Sequence, residues 1–191
     1  MKVICLLGSP RQAGNSATIA GRFTDTAVKL GAEARTFELN QLIYHGCQGC
    51  YACKTKRDTC VLKDDLTEIL EAIRKADVLV LATPVYCRDI TGQLKCFIDR
   101  TFSYLVPDYT TNPKPSRLPP GKKLVFIITQ GSPDEGRFAD IYPRYDDFLR
   151  PRIGFAESFL IRACGVGTKG EKEVPERFLR QAEELARAII T

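Results

Sequence analysis

Short apolar runs alternate with amphipathic segments along most of the chain. Val3–Leu7 is a continuous apolar run that ends at Gly8, which is typical of a strand buried on both faces. Similar runs at 77–82 and 124–128 predict two further strands, the weakly alternating segment 34–39 predicts a more peripheral one, and 157–164 suggests a fifth. Between these runs, apolar residues recur every three or four positions, and this spacing predicts helices with apolar faces at 19–30, 66–73, 94–105 and 178–189.

Five strands that alternate with helices predict an α/β protein with a doubly wound, mostly parallel sheet and helices on both faces. A further helix is expected from about 140 to 155, where Pro151 should kink or break it. Asp65, with Glu68 three residues later, resembles a capping box at the start of the helix at 66–73. The length of 191 residues argues for one domain over 1–191, in which the Pro-rich segment 106–121 forms an irregular loop.

Composition and charge narrow the classes of partner. The 44% apolar and 27% charged residues are ordinary for a globular protein, and no apolar run approaches the roughly 18 residues of a membrane span. The apolar run at Val3–Leu7 is too short for a signal peptide, so we expect a cytoplasmic protein without a disulfide framework. The net charge of +5 is scattered, which disfavours nucleic acid and favours a small phosphorylated molecule.

The first predicted strand leads through a Gly- and Ser-containing loop, 8–16, directly into a helix. Backbone N–H groups and small hydroxyl residues at a helix N-terminus form an anion site. Arg11 would add a guanidinium there, and Ser16 would serve both as N-cap and as phosphate donor. The loop lacks the Walker A and dinucleotide fingerprints, and an ordinary turn with an N-cap is the alternative.

Two more predicted strands end in loops of similar character, at 83–89 and 129–133. In a doubly wound sheet, ligands bind at the carboxyl ends of the strands. These two loops offer backbone donors beside an apolar or aromatic surface, which suits a flat heteroaromatic ring. A phosphate at one end and a planar ring at the other describe FMN.

A compact cysteine motif, C-x2-C-x2-C-x6-C, lies in the segment 45–63. A cubane [4Fe–4S] cluster takes one thiolate on each iron, and this spacing suits it better than the two separated Cys pairs of a structural zinc site. Lys54, Lys56 and Arg57 would offset the negative charge of the cluster. A metal-free loop with free thiols and a zinc site are the alternatives. The candidate cluster ligands are Cys47, Cys50, Cys53 and Cys60.

At these positions the sequence resembles the NAD(P)H-dependent FMN reductases of flavodoxin-like fold and, more narrowly, the iron–sulfur flavoproteins among them. The stretches that carry the resemblance are 8–11, 14–16, 47–65, 76–77, 84–86, 93–95 and 97–100. The resemblance implies the strand order 2-1-3-4-5 and FMN phosphate held by Ser9, Arg11, Asn15 and Ser16. It also implies flavin contacts from a second set of residues, which are Pro84, Val85, Tyr86, Cys87, Asp89, Thr129, Gln130 and Gly131.

Together these features predict an FMN-dependent redox flavoprotein that passes electrons between FMN and a [4Fe–4S] cluster. The resemblance implies NAD(P)H, ferredoxin or a quinone as redox partner, and a homodimer or homotetramer. Two alternatives stay open: an NAD(P)H-dependent FMN or quinone reductase without a cluster, and a non-enzymatic redox-sensing flavin-binding module. No residue stands out as a catalytic acid or base.

Overall fold

The protein was analysed as a computed structural model, which describes residues 1–167 and 174–191. Within those residues, five parallel strands form one sheet in the order β2-β1-β3-β4-β5. The predicted sheet and its strand order are therefore confirmed. The strands are β1 (Lys2–Leu7), β2 (Glu33–Glu38), β3 (Val78–Pro84), β4 (Lys123–Gln130) and β5 (Glu157–Cys164).

Helices connect the strands and cover both faces of the sheet. They are α1 (Asn15–Lys29), α2 (Ala52–Thr55), α3 (Leu66–Lys75), α4 (Gly92–Arg100), α5 (Ile141–Phe148) and α6 (Glu176–Ile190). A 3-10 turn, Thr101–Tyr104, continues α4, and a wider π-type turn, Leu149–Gly154, continues α5. None of the helices in the described part of the chain has the length and apolar character needed to cross a membrane.

The core consists of two layers, one on each face of the sheet. Successive side chains of a strand point to opposite faces, so neighbours in sequence enter different layers. Leu6, Leu81 and Phe126 pack under α3, α4 and α5, whereas Val80 and Ile127 pack under α1 and α6. Burial of each such side chain stabilises the fold by about 1.5–3 kcal/mol. Because both faces are covered, the central strands appear in the sequence as continuous apolar runs.

Pro151 lies in the π-type turn that follows α5. Proline has no N–H to donate, and its ring clashes with the carbonyl group four residues earlier, so a regular helix cannot continue through it. The α-helix accordingly ends at Phe148, and the chain widens for one turn before β5. The predicted break at Pro151 is confirmed.

One predicted helix cap is wrong, and the other is right in position but makes no side-chain capping bond. The N-cap of α1 is Gly14, in an extended conformation (φ −74°, ψ 161°), because the Gly14 N–H bonds to the Arg11 carbonyl oxygen and ends the loop there. Ser16 is therefore buried inside the first turn. Asp65 does precede α3, but its Oδ2 accepts a hydrogen bond from the Ile43 N–H at 2.7 Å and does not cap the helix. Glu68 forms an ion pair with Arg35 of β2 and completes no capping box.

Candidate functional site

A cleft of about 290 Å³ opens at the carboxyl ends of the strands, between the loops that follow β1, β3, β4 and β5. This volume is close to the lower bound of about 300 Å³ for ligand pockets. Every predicted flavin-contact residue lines the cleft except Cys87 and Asp89. The lining residues are Ser9, Arg11, Ala13, Gly14, Asn15, Ser16, Pro84, Val85, Tyr86, Thr129, Gln130, Gly131, Val166 and Gly167.

One end of the cleft is the N-terminus of α1. Among the residues that the structure describes, no side chain caps this helix, and its first turn carries no acidic residue. The first backbone N–H groups of an α-helix have no partner within the helix; the Thr18 N–H already bonds back to the Gly14 carbonyl oxygen at 2.9 Å. Unpaired N–H groups and the helix dipole together favour an anion at this end of the cleft.

Gly8 fixes where this loop begins. Its N–H donates to the Ala82 carbonyl oxygen at 2.8 Å, and its own carbonyl accepts the hydroxyl of Thr91 at 2.7 Å. Thr91 is also the N-cap of α4, where its Oγ1 accepts the Leu94 N–H. A Cβ atom on Gly8 would lie 2.8 Å from Thr91 Oγ1, so only glycine fits at this point.

Pro84, Val85 and Tyr86 form the opposite wall. The Val85 N–H donates to the Thr129 carbonyl oxygen at 2.8 Å, which continues the pairing of β3 with β4 past the end of the strand. Tyr86 is 41% exposed although it is a large aromatic residue. The wall therefore offers an apolar and aromatic surface to a ligand in the cleft.

A tight turn after Tyr86 places Cys87 and Asp89 outside the cleft lining. Tyr86 and Asp89 exchange two backbone hydrogen bonds, and both residues between them have positive φ, 48° at Cys87 and 74° at Arg88. A non-glycine residue in this region costs about 1–2 kcal/mol. The turn therefore needs support from neighbouring side chains.

Asp89 receives that support from α5. Its carboxylate accepts hydrogen bonds from the Arg144 guanidinium at 2.9 Å and the Tyr145 hydroxyl at 3.0 Å. Burial acts to raise the pKa of Asp89, but the hydrogen bonds from Arg144 and the Ile90 N–H outweigh burial and hold the pKa below its ordinary value. The charged carboxylate thus clamps the turn that carries Tyr86.

Gln130 lines the cleft while its side chain is engaged in its own loop. Its Nε2 donates to the carbonyl oxygens of Ser132 and Asp134, at 3.0 and 2.9 Å. Its Oε1 accepts a hydrogen bond from Arg162 of β5 at 2.9 Å. The side chain of Gln130 therefore stabilises the β4–α5 loop, and both of its amide atoms already have hydrogen-bond partners within the protein.

Four residues that line the cleft were not predicted from the sequence. Val166 and Gly167 form its fourth wall, and Ala13 and Gly14 belong to the first loop. Asn15 links the two sides, because its Nδ2 donates to the Gly167 carbonyl oxygen at 3.3 Å. The parallel sheet predicted from the sequence could have indicated Val166 and Gly167, because the carboxyl end of β5 lies at the same edge as those of the other strands.

The four predicted cluster ligands, Cys47, Cys50, Cys53 and Cys60, line a second, small cavity. Cys47 and Cys50 are exposed, Cys53 is buried and Cys60 is half-buried. In residues 1–167 and 174–191, no three His, Cys, Asp or Glu side chains are grouped so that they would hold one metal ion.

Two backbone reversals wrap the cysteine loop around this cavity. Gly49 and Tyr51 have positive φ, 62° and 55°, and α2 follows at once with Cys53 in it. The short helix was not predicted, because four residues give no apolar period. Tyr51 stacks edge-on against Phe102, with ring centroids 5.8 Å apart, and both residues line the cavity.

The Pro-rich loop, 106–121, packs beside the same cavity. The Tyr109 ring contacts Phe102 with centroids 5.4 Å apart. The Val106 N–H donates to the Pro115 carbonyl oxygen at 2.8 Å, and Arg117 donates to the Leu105 carbonyl oxygen at 2.5 Å. The loop thus closes onto the 3-10 turn that forms one wall of the cysteine cavity.

Arg100 holds the stem of the cysteine loop. Its side chain is fully buried and forms an ion pair with Asp64, with Nη1 and Oδ2 2.7 Å apart, and Nη1 also donates to the His45 carbonyl oxygen. Burial acts to lower the pKa of Arg100, but the hydrogen bond to Asp64 and the charge of Cys60 contribute to a net increase. Arg100 Nε is buried without a hydrogen-bond partner in the described part of the chain, and Arg100 lines the cavity.

The part of the chain that the structure describes thus has an uncapped helix N-terminus opposite an aromatic wall, on a sheet with the strand order 2-1-3-4-5 that the sequence resemblance implied. The family model for NADPH-dependent FMN reductases matches residues 1–143. The chain belongs to that family. The match spans β1 to the start of α5, and so includes the cysteine loop and three of the four walls of the cleft.

Proteins with similar sequences include two that are named iron-sulfur flavoprotein. That of Archaeoglobus fulgidus is 36% identical over 108 residues, which are 54% of this chain and 47% of the relative. That of Methanocaldococcus jannaschii is 32% identical over 149 residues, which are 78% of this chain and 71% of the relative. The chain thus spans about half the length of the first relative.

A solved structure with the same fold is the NAD(P)H:quinone oxidoreductase from Methanothermobacter marburgensis. It superimposes with a TM-score of 0.78 at 21% sequence identity, over 100% of this chain and 98% of that chain. The likeness confirms the predicted flavodoxin-like fold.

Proposed function

We propose that this chain is an FMN-dependent oxidoreductase that passes electrons between FMN in the strand-end cleft and a [4Fe–4S] cluster held by the four loop cysteines. The observation that carries the proposal is that Cys47, Cys50, Cys53 and Cys60 line one cavity, with the buried Arg100 in its wall. Membership of the NADPH-dependent FMN reductase family supports the FMN part of this proposal, and the similarity to two iron-sulfur flavoproteins supports the cluster part.

The cleft residues fit FMN by their chemistry. In the proposal, the N-terminus of α1 holds the phosphate with Ser9, Asn15 and Ser16, and Arg11 adds a positive charge. Pro84, Val85 and Tyr86 face the flavin ring, with Thr129, Gln130 and Gly131 along its other side. Bound FMN supplies chemistry that exchanges either two electrons or one, and the chain orients it.

The cysteine cavity fits a cluster better than a single zinc ion. Four sulfurs around one zinc, each about 2.3 Å from the metal, lie within about 4 Å of one another. A cubane takes one thiolate per iron, so its ligands are spread around a larger core. The motif C-x2-C-x2-C-x6-C brings four thiols from one short loop to the lining of one cavity, one for each iron of such a core.

Arg100 gives an independent reason to place an anionic group here. A buried donor without a partner costs about 1–3 kcal/mol. Arg100 Nε is such a donor, and the charge of a Cys60 thiolate contributes to the raised pKa of Arg100. A cluster whose thiolates and sulfides accept hydrogen bonds would satisfy it.

The proposal also includes the redox partners of the two sites, the domain organisation and the oligomeric state. NAD(P)H, ferredoxin or a quinone would exchange electrons with them, and the exposure of Cys47 and Cys50 leaves the cluster loop accessible to a partner. We take 1–191 as one domain, because both core layers share a single sheet. A homodimer or homotetramer would bring the cluster of one subunit towards the flavin of another.

The test compares Cys53→Ala with Cys164→Ala in protein purified without oxygen. Cys53 is a proposed ligand in the cavity, whereas Cys164 ends β5 away from it. We expect Cys53→Ala to lose iron, sulfide and the visible absorption of the cluster while it retains FMN, and Cys164→Ala to retain all of them. Equal iron in the two variants would overturn the assignment of the cysteine loop.

The second candidate is an NAD(P)H-dependent FMN or quinone reductase without a cluster. It is favoured by one observation: the FMN cleft contains none of the four loop cysteines, so the flavin site is complete without them. The structurally similar protein from Methanothermobacter marburgensis is itself an NAD(P)H:quinone oxidoreductase, which agrees with this candidate. This candidate predicts that the wild-type protein contains flavin without iron and reduces quinones with NAD(P)H, and that Cys53→Ala leaves this activity unchanged.

A further inference from the structure

Lys54 is a half-buried cation at the wall of the cysteine cavity. Its Nζ donates to the carbonyl oxygens of Phe102 and Leu105, at 2.6 and 2.8 Å. It also lies 4.0 Å from the centroid of the Phe102 ring. Among the residues that the structure describes, no carboxylate is within ion-pair distance of it.

The third N–H of Lys54 is directed to a proposed cluster ligand. An ammonium group has three donors and no acceptor. Two of them are taken by the carbonyl oxygens of Phe102 and Leu105, and the remaining contact is with Cys53 Sγ at 3.6 Å. A hydrogen bond from a cation to a thiolate is stronger than one between neutral groups. Lys54 therefore places a positive charge beside the sulfur atom of Cys53.

The other cations near the loop do not share this arrangement. Arg117 is half-buried and donates to the same Leu105 carbonyl oxygen as Lys54, but its side-chain hydrogen bonds in the described part of the chain go to the carbonyl oxygens of Ser103 and Leu105 and not to a cluster cysteine. Lys56 and Arg57 are exposed, so solvent and salt screen their charges. Arg100 is buried, but its charge is neutralised by the carboxylate of Asp64. Lys54 alone, within the described part of the cysteine loop, combines partial burial, the absence of a carboxylate partner and contact with a cluster cysteine.

We propose that Lys54 tunes the reduction potential of the cluster by donating a hydrogen bond to the Cys53 thiolate. The inference rests on the proposed function. One-electron reduction adds one negative charge to the cluster, and a fixed positive charge close to it stabilises that reduced form. Lys54 therefore raises the midpoint potential above the value the cysteines alone would give.

The carbonyl contacts of Lys54 keep it in place during this change of charge. They fasten α2 to the 3-10 turn Thr101–Tyr104 and the residue after it. A donor held at two points does not need to reorganise when the electron arrives, which is the condition for an effective electrostatic contribution. Lys54 is a tuning residue and takes no part in proton or hydride transfer.

The experiment measures the midpoint potential of the cluster in Lys54→Met, with Lys56→Met as the matched control. Methionine keeps most of the unbranched stem and removes the charge. Iron and sulfide are measured first, and the potential then by titration with dithionite, followed by electron paramagnetic resonance of the reduced cluster. We expect a more negative potential in Lys54→Met and the wild-type value in Lys56→Met. A wild-type potential in Lys54→Met would overturn the inference.

Two further variants test the inference if Lys54→Met does not retain the cluster. Lys54→Gln keeps an N–H donor without the charge, and Lys54→Arg keeps the charge. The inference requires a more negative potential in the Gln variant than in the Arg variant, and equal potentials would contradict it. Absence of iron from the wild-type protein is a different outcome, because it defeats the proposed function itself.

Discussion

The Arg100 guanidinium and the Asp64 carboxylate form a buried ion pair with two contacts, Nη1 to Oδ2 at 2.7 Å and Nη2 to Oδ1 at 3.2 Å. Arg100 ends α4, and Asp64 lies just before α3. Arg100 also donates to the carbonyl oxygen of His45. His45 and Asp64 flank the four cysteines in sequence, so this pair holds the two ends of the cysteine loop together.

The first prediction concerns the cost of breaking this pair. In Asp64→Asn, the Arg100 side chain keeps its charge but loses a fully charged partner in a site with 0% exposure. Removing one partner of a buried pair costs about 3–5 kcal/mol. Because Asp64 is 10% exposed, we expect about 3 kcal/mol less free energy of unfolding in urea.

Asp99→Asn is the matched control. Asp99 pairs with Lys95 on the surface of α4, where the two side chains are 45% and 48% exposed. Exposed pairs of this kind contribute about 0.3–0.5 kcal/mol. Equal losses of stability in Asp64→Asn and Asp99→Asn would show that the buried pair does not hold the loop.

The second prediction is a pH dependence of the Asp64 contribution. Burial acts to raise the pKa of Asp64, but the hydrogen bonds from Arg100 and the His45 N–H outweigh burial and lower it from 3.8. A carboxyl whose pKa is lower in the folded state stabilises the fold above its unfolded pKa, and this stabilisation is lost as the pH falls through the folded value. We expect the stability difference between wild type and Asp64→Asn to be constant near neutral pH and to shrink below about pH 4.

Urea unfolding of both proteins at a series of pH values checks this directly. Asp89 also has a lowered pKa but is present in both proteins, so its contribution cancels in the difference. A stability difference that grows as the pH falls would contradict the assigned sign.

The third prediction tests the close approach at the start of the FMN loop. In Gly8→Ala, the new Cβ lies 2.8 Å from Thr91 Oγ1 and 3.0 Å from Leu94 Cβ. Overpacking of this kind costs about 1–3 kcal/mol. We expect that loss in urea unfolding, and weaker FMN binding because the loop shifts.

Gly21→Ala provides the control, because Gly21 lies within α1 and nothing is within 4 Å of its added Cβ. Alanine there should stabilise the helix by about 0.5–1 kcal/mol. Destabilisation by Gly21→Ala, or tolerance of Gly8→Ala, would contradict the packing described for these two glycines.

The fourth prediction separates phosphate recognition from ring recognition. Arg11 lies at the proposed phosphate end of the cleft. Arg11→Gln should weaken FMN binding about tenfold, equivalent to about 1.4 kcal/mol, because a hydrogen bond to a charged group contributes about 1.5–3 kcal/mol. The affinity for riboflavin, which has no phosphate, should stay unchanged.

Fluorescence titration of protein stripped of flavin gives both affinities. Arg22→Gln is the control, since Arg22 lies on α1, the helix that follows the loop of Arg11, but pairs with Glu176 and Glu183 of α6. Equal losses for FMN and riboflavin in Arg11→Gln would mean that Arg11 supports the loop and does not bind the phosphate.

The sequence was sufficient for the sheet, because burial on both faces produces short continuous apolar runs such as Val3–Leu7 and Leu124–Ile128, too short for helices of ordinary length. It was insufficient for the caps. Ser16 and Asp65 have the residue types that cap helices, but tertiary contacts decided their roles: Gly14 ends the first loop, and Asp65 bonds to Ile43. Local preference alone cannot weigh such competing partners.

In the candidate site too, the sequence predicted the position of the cleft but not the partners of individual side chains. Strand ends and the glycine loop pointed to the FMN cleft, but the side chain of Asp89 was taken by Arg144 and Tyr145, which are more than fifty residues away in sequence. Lys54, Lys56 and Arg57 were equivalent in the sequence. Only the fold distinguishes the half-buried ammonium group of Lys54 from its two exposed neighbours.

The most direct test of the central proposal is the content of iron, acid-labile sulfide and flavin in wild-type protein purified without oxygen. The proposed function predicts about four iron and about four sulfide atoms per chain, as a [4Fe–4S] cluster requires, together with stoichiometric FMN. Stoichiometric FMN with neither iron nor sulfide would contradict it.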